Sequence, residues 1–308
     1  MKERAAAAPG TEMRMFRMGI DLGGTKIEGI VLDALGRTLW RQRIPTEQEQ
    51  GYRHVLNRIQ SLHDELSDRL AGEPYVLGIG TPGAISRRTA LVKNSSTLCL
   101  NGRPLRKDIE QLLGREIGVQ NDANCFALAE ALHGAGKGYK LVFGAILGTG
   151  CGGGIVYNGE LISGPQAIAG EWGHTSIDPE GPLCFCGHRG CVETYISGSG
   201  VTARHAERYG EVRSFAELAE DYHCREARAV ATMTMFFGNF GRAMANLINV
   251  LDPDIVILGG GLSNFNPLYS LGVAEVSRRV FSDSLETPII KHKLGDSAGV
   301  IGAALLGV

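Results

Sequence analysis

Two stretches of this chain are written to the same plan. Residues 19–33, GIDLGGTKIEGIVLD, are an apolar run, a bend of Gly23, Gly24, Thr25 and Lys26, and a second apolar run. Residues 141–157, LVFGAILGTGCGGGIVY, repeat that order, with the glycine-rich stretch GTGCGGG (148–154), holding Gly148, Thr149, Gly150 and Gly152, between the two apolar runs. One strand, glycine turn and strand is an ordinary hairpin whose glycines only satisfy turn geometry. A second copy constrains the chain further, because duplication predicts two related halves with their hairpins facing across a cleft. Glycines at both bends let backbone N–H groups approach oxygens closely, so the pair suits one polyphosphate, with the Thr25 and Thr149 hydroxyls available to it.

The rest of the pattern is α/β. A third strand is expected at Leu39–Ile44, and Val55, Ile59, Leu62, Leu66 and Leu70 recur at helical spacing over 51–71, closed by Gly72. YVLGIG (75–80) reads as a buried strand, followed by a short helix near 104–114, a strand at 117–120 and a helix beginning at Asn121-Asp122. In the second half, 229–251 carries Val230, Met233, Phe237, Phe240, Met244, Leu247 and Leu251 on one helical face. IVILGGGLS then predicts a strand turning through Gly259, Gly260 and Gly261 into the next helix. The last segment reads as a small-residue helix capped by Asp296 or Ser297 and packed closely through its glycines. Residues 1–17, with an Ala run and Pro-Gly, read as a flexible extension.

The chemistry-bearing residues cluster in short motifs. GxxxxGK[ST] is absent from the first bend, and Asn264 stands where Gly259–Gly261 would need a third glycine, which excludes the two commonest nucleotide signatures. Asp21 is either a water-mediated neighbour of Mg²⁺ or a turn-stabilising acceptor. Asp122 at a strand-to-helix junction is either a helix cap or a base within reach of a hydroxyl proton. Asn94, in the loop after GTPGAIS, is a further polar candidate. Of seven cysteines, Cys184, Cys186 and Cys191 crowd together, a spacing suited to Zn²⁺ rather than to a disulfide scaffold. The fourth ligand is His174 or His188; a ring through His188 would be very tight, which favours His174. Four protein ligands make such a zinc structural, and it would fix the nearby Glu171 and Glu193, whose carboxylates accept hydroxyl protons well. The remaining histidines have no partner in the sequence and read as surface or structural.

Bulk composition excludes other classes. Lys and Arg total 31 against 33 Asp and Glu, with no basic stripe, so neither nucleic acid nor an anionic membrane is a natural partner. No apolar run is long enough to span a bilayer and no secretory signal opens the chain, so a cytoplasmic protein is expected.

Together, GIDLGGTK, NDANC, GTGCGGG, GEWGH, CFCGHRGC-VE and LDPDIVILGGG resemble the ROK family of bacterial sugar kinases, in order from about residue 18 to the end. STLCLNG (96–102), EWGH and ETYISGSG resemble its fructokinase/mannokinase branch more than its N-acetylglucosamine kinases. The resemblance implies a two-domain actin-like, ribonuclease H-like fold with an interdomain cleft. A small domain would cover 18–122, joined by a C-terminal helix at about 297–308, and a larger one 123–296 with the zinc loop. It implies ATP with Mg²⁺ at Asp21, Gly23, Gly24, Thr25, Lys26, Gly148, Thr149, Gly150, Gly152 and Gly259–Gly261. It implies a hexose at Asn94, Asn121, Asp122, Glu171, His174 and Glu193, with Asp122 as general base and His174 also joining the three cysteines on zinc. A homodimer phosphorylating fructose at C6, with mannose as a second substrate, is the resulting expectation; N-acetylglucosamine or glucose is the alternative. The rival from another class is a sugar-responsive repressor of the same family. That reading needs a helix-turn-helix ahead of the first strand, for which seventeen residues are too few.

Overall fold

The computed structural model describes residues 15–307. Of the extension expected at the start, residues 1–14 lie outside the described residues. Phe16 and Arg17 are strand, paired with Tyr75 and Leu32, so that boundary moves forward.

Strands β1 (Phe16–Leu22), β2 (Lys26–Leu32) and β3 (Thr38–Pro45) form an antiparallel meander, followed by helix α1 (Tyr52–Arg69). Next come β4 (Tyr75–Thr81), the small hairpin of β5 (Ala84–Ile85) and β6 (Val92–Lys93), α2 (Leu105–Leu113), β7 (Gly118–Asn121) and α3 (Asp122–His133). The plan then repeats with β8 (Leu141–Leu147), β9 (Cys151–Tyr157) and β10 (Glu160–Leu161). The helices α4 (Glu193–Ile196), α5 (Gly198–Tyr209), α6 (Phe215–His223) and α7 (Ala227–Leu251) follow. The chain closes with β11 (Ile255–Gly259), α8 (Leu271–Ser277), β12 (Ile289–Lys291) and α9 (Ala298–Leu305).

The two main sheets have the same topology. One runs β3-β2-β1-β4-β7 and the other β10-β9-β8-β11-β12, each an antiparallel meander extended by parallel strands. This is the duplication that the two glycine bends announced, in an actin-like arrangement. No helix of the described residues is long and apolar enough to cross a membrane.

The halves are joined by two exchanged helices. α3 leaves the first sheet and packs on the second, where Gly152 and Gly154 face Ala123 and Ala127. α9 leaves the second sheet and packs on the first. A row of glycines makes that possible: Gly19, Gly78 and Gly118 are in register across β1, β4 and β7. A methyl at any of them would overlap a backbone carbonyl of α9 or its end, from Val300, Ala303 and Leu306 respectively. Where α3 and α9 cross, a methyl on Gly302 would overlap the Cys125 carbonyl. Removing side chains on both surfaces lets backbones touch, and each such contact excludes any larger residue.

Three local expectations change. The second bend is only Gly148–Gly150; Cys151–Gly154 pair with Leu147–Gly144 as strand, because small residues there admit α3. After Gly259 the chain takes two 3₁₀ turns, Gly261–Asn264 and Asn266–Tyr269, before α8, with Pro267 interrupting any continuous helix. Neither Asp296 nor Ser297 caps α9 with its side chain; the Ser297 hydroxyl donates instead to Glu28 Oε1 at 3.1 Å.

The glycine row generates a paired stability test by urea unfolding. Gly78→Ala should lower the unfolding free energy by about 1–3 kcal/mol through overpacking against α9. Gly238→Ala, inside α7 with nothing within 4 Å of the added methyl, should raise it by roughly 0.5–1 kcal/mol. A neutral Gly78→Ala would contradict the packing account.

Candidate active site

The first bend is tied down from β3's far end. Gly23 N–H donates to the Lys26 carbonyl at 2.9 Å, Thr46 Oγ1 donates to the Gly23 carbonyl at 2.7 Å, and Thr46 N–H donates to the Thr25 carbonyl at 3.0 Å. Thr25 and Lys26 remain exposed. Beside Gly24 lies Thr97, a buried hydroxyl with no hydrogen-bond partner among the described residues.

Asp21 stands at the root of this bend, opposite Glu28 in the β1–β2 register and beneath α9. Methyl groups at Gly80 and Gly299 would each come within 3.0 Å of its carboxylate, so glycine on both sides makes its space. Burial, then the neighbouring Asp122 and Glu28 carboxylates, push Asp21 up to about 7, with Lys26 opposing. Glu28 is itself held by Arg41 at 2.5 Å and Arg43 at 2.7 Å.

At the start of α3 the two residues of the Asn-Asp pair divide their work. Asn121 is the cap: its Oδ1 accepts from Ala123 N–H at 2.9 Å, and its Nδ2 donates to the Gly83 carbonyl at 3.1 Å. Asp122 is therefore not needed as the cap. It accepts from Ala123 N–H at 2.8 Å and keeps solvent-accessible surface. Desolvation by the protein packed around it pushes its carboxyl above the ordinary range, against the pull of its hydrogen bonds from the backbone and Asn121.

The second bend is supported from behind by α4 and α5. Gly198 N–H donates to the Gly148 carbonyl at 2.7 Å, and Ser199 Oγ donates to the Thr149 carbonyl at 2.6 Å. Glu193, the first residue of α4, accepts from Cys151 N–H at 2.8 Å, and a methyl at Gly150 would reach 2.7 Å from the same oxygen. The third glycine turn abuts this bend: Gly260, at φ +77°, leaves no room for a methyl beside the Leu147 carbonyl. Gly259 is buried against Phe126 and Gly152 against Ala123, so packing alone accounts for glycine at those two positions; Gly261 faces open space.

Glu171 joins the group. Burial raises its pKa, His174 opposes, and the charges of Asp122 and Glu193 push it further up while Lys93 lowers it. Asp122 and Glu193 are thus near enough to Glu171 to act on it through space, while Asp21 at the first bend feels Asp122 and Glu193 bonds the second bend. Asn94 is exposed at φ +57°, between Lys93 and Ser95, whose backbones line Gly83, the residue that Asn121 holds.

His174, Cys184, Cys186 and Cys191 converge, each offering one ligand atom and all four atoms within 4.8 Å of one another. Cys186 Sγ lies 3.6 Å from Cys191 Sγ, and Cys184 Sγ lies 3.6 Å from His174 Nδ1. A tetrahedral zinc with its usual bond lengths sets S···S edges of roughly 3.8 Å and S···N edges of roughly 3.6 Å. The donor set and its spacing fit that ion. His188 contributes its backbone carbonyl to the loop, accepting from Cys184 N–H at 2.8 Å, and stands outside the cluster.

Sequence reasoning did not find the contacts that cross between the halves on this side. Lys93 Nζ donates to the Gln166 carbonyl at 2.8 Å, and Gln120 Nε2 donates to Ser163 Oγ at 2.7 Å. No motif marks these residues; only their positions next to Asn94 and Asn121 hint at them. Two of the other histidines have local partners, His63 on Tyr75 and Asp64, and His54 on Glu47.

The ROK family model matches residues 17–307. An N-acetyl-D-glucosamine kinase of Yersinia pseudotuberculosis is 38% identical over 303 residues, covering 94% of this chain and 97% of that protein. One from Photobacterium profundum is 39% identical over 301 residues, covering 94% and 98%. The crystal structure of a ROK hexokinase from Thermus thermophilus superposes with a TM-score of 0.84 at 32% identity, covering 95% of this chain and 98% of that one. A ROK family glucokinase from Streptomyces griseus, in complex with glucose and AMPPNP, gives 0.78 at 28% identity, covering 95% and 99%. Family model, full-length relatives and fold agree: the chain belongs to the ROK family.

Proposed function

We propose that this chain is an ATP-dependent sugar kinase that phosphorylates N-acetyl-D-glucosamine at its C6 hydroxyl. The observation that supports the kinase reading is the cluster of carboxylates: Asp122, Glu171 and Glu193 near one another, with Asp21 tying the group to the first glycine bend and Glu193 to the second. The substrate rests on the relatives, since those matching 94% of the chain at 38–39% identity are named N-acetyl-D-glucosamine kinases. This replaces the fructose expectation, which rested on three short stretches. A Streptomyces griseus relative holding glucose and AMPPNP supports a sugar beside a nucleotide in this fold.

In this reading the halves 18–122 with α9, and 123–296, are two lobes of a kinase. Backbone N–H groups of both bends hold the nucleotide's phosphates, and Asn121, Glu171, His174 and Glu193 orient the sugar, with Asn94 at the rim. The C6 oxygen attacks the γ-phosphorus, the bond to the β-phosphate oxygen breaks, and ADP leaves with that electron pair. Asp122 accepts the hydroxyl proton, and its raised pKa makes it a better base than a carboxylate in the ordinary range. Asp21 would hold Mg²⁺ through water, and the ion supplies neutralisation of phosphate charge. His174, Cys184, Cys186 and Cys191 would hold a structural zinc that fixes the loop between Glu171 and Glu193.

The substrate reading is tested with a panel of N-acetyl-D-glucosamine, glucose, mannose and fructose, assayed with ATP and Mg²⁺. N-acetyl-D-glucosamine should give the highest kcat/KM, and Asp122→Asn should retain sugar binding while losing at least about 10² in kcat. Preference for fructose would overturn the substrate, and near-normal turnover by Asp122→Asn would overturn the base. Metal analysis of protein purified without chelator should find about one zinc per chain, and its removal should raise the sugar KM. Finding none would remove the zinc.

A further inference from the structure

Outside the cleft, α5 and α7 enclose a recess of about 280 Å³ behind the second bend. Its volume is near the small end of ligand sites, roughly 300–1,000 Å³. Val201, Met235 and Phe236 give it an apolar floor, and Arg204, Glu207, Arg208 and Asn239 line the same space, so Arg208 supplies the positive charge left over after Arg204 pairs with Glu207.

The polar groups at this recess are under-used. Arg204 Nη2 pairs with Glu207 at 2.7 Å, but its buried Nε has no partner. Arg208 forms no ion pair among the described residues, and its Nη1 rests on Met235 Sδ at 3.2 Å, a weak acceptor. Arg204 Nε is one of the five unpartnered buried side-chain atoms among the described residues, and the one among them whose residue lines this recess. Buried polar atoms without partners are rare and point to a missing water or ligand. Two guanidiniums above an apolar floor select an oxyanion on a compact body.

We propose that the recess between α5 and α7 is a second binding site, for a small molecule carrying one carboxylate or phosphate monoester, with Arg204 and Arg208 receiving the oxyanion. α5 begins where Gly198 and Ser199 hold the second bend, so an occupant bears on the same helix that supports it. The site stands whether or not the kinase reading does.

The test uses full-length, zinc-loaded protein with ¹³C-methyl methionine, with Met235 assigned through Met235→Leu. Phenyl phosphate, benzoate and inorganic phosphate are titrated separately. Phenyl phosphate or benzoate should shift the Met235 methyl saturably, more tightly than inorganic phosphate. Arg208→Gln, at an exposed position that leaves folding intact, should weaken binding at least about tenfold, and Arg204→Gln should do the same. Response to phenyl phosphate alone assigns a phosphate monoester; response to both probes assigns either oxyanion. No Met235 shift, a shift indifferent to both arginine variants, or a shift that follows protein concentration because a second copy covers this face would each overturn the proposal.

Discussion

The crossing of α3 and α9 at backbone contact fixes everything that matters in the cleft. Gly302 meets the Cys125 carbonyl there, and the glycine row of Gly19, Gly78 and Gly118 lets α9 lie directly on the first sheet. α3 starts with Asp122, and α9 starts beside Asp21 through Gly299. The separation of the two carboxylates is therefore set by helix packing and not by a flexible loop. Glu130 fastens the other end of the same device. It is fully buried and accepts from the N–H groups of Ala135, Lys293 and Leu294, which ties the end of α3 to the segment leading into α9.

Such an arrangement costs stability. Asp21 binds its proton more tightly folded, at about 7, than unfolded, at 3.8. Its contribution is favourable at low pH and is lost as pH rises through the folded value. Like charges held close in an enclosed space are a recurring price of sites that take cations or hydroxyl protons. Here the opposing forces are visible: Arg41 and Arg43 neutralise Glu28, Lys26 offsets Asp21, and Lys93 offsets Glu171.

What was legible in the sequence is what depends on near neighbours along the chain. The hairpins, the α1 and α7 faces and the three cysteines follow from periodicity and spacing, and the repeat of two glycine bends foretold the matching sheets. The glycine row was not legible, because Gly19, Gly78 and Gly118 acquire their meaning only when three strands come into register. Ser297 reads as a cap until Glu28, distant in sequence, claims its hydroxyl. Lys93 and Gln120 likewise look ordinary until Gln166 and Ser163 arrive from the other half. The fructose expectation failed to win support for a related reason. Short stretches near 96–102 and 193–200 do not report how far a sugar's substituents lie from Glu171 and Glu193, which is what distinguishes one hexose from another.

The central claim is that α3 and α9 press Asp21 and Asp122 into one electrostatic unit. A ¹³C-carboxyl NMR titration of zinc-loaded, magnesium-free protein tests it most directly, with Asp21 assigned through Asp21→Asn. The account predicts that Asp21 titrates far above its ordinary 3.8, near 7, and that Asp122→Asn moves it down by removing a neighbouring negative charge. An Asp21 that titrates in the ordinary carboxylate range and does not respond to Asp122→Asn would contradict it.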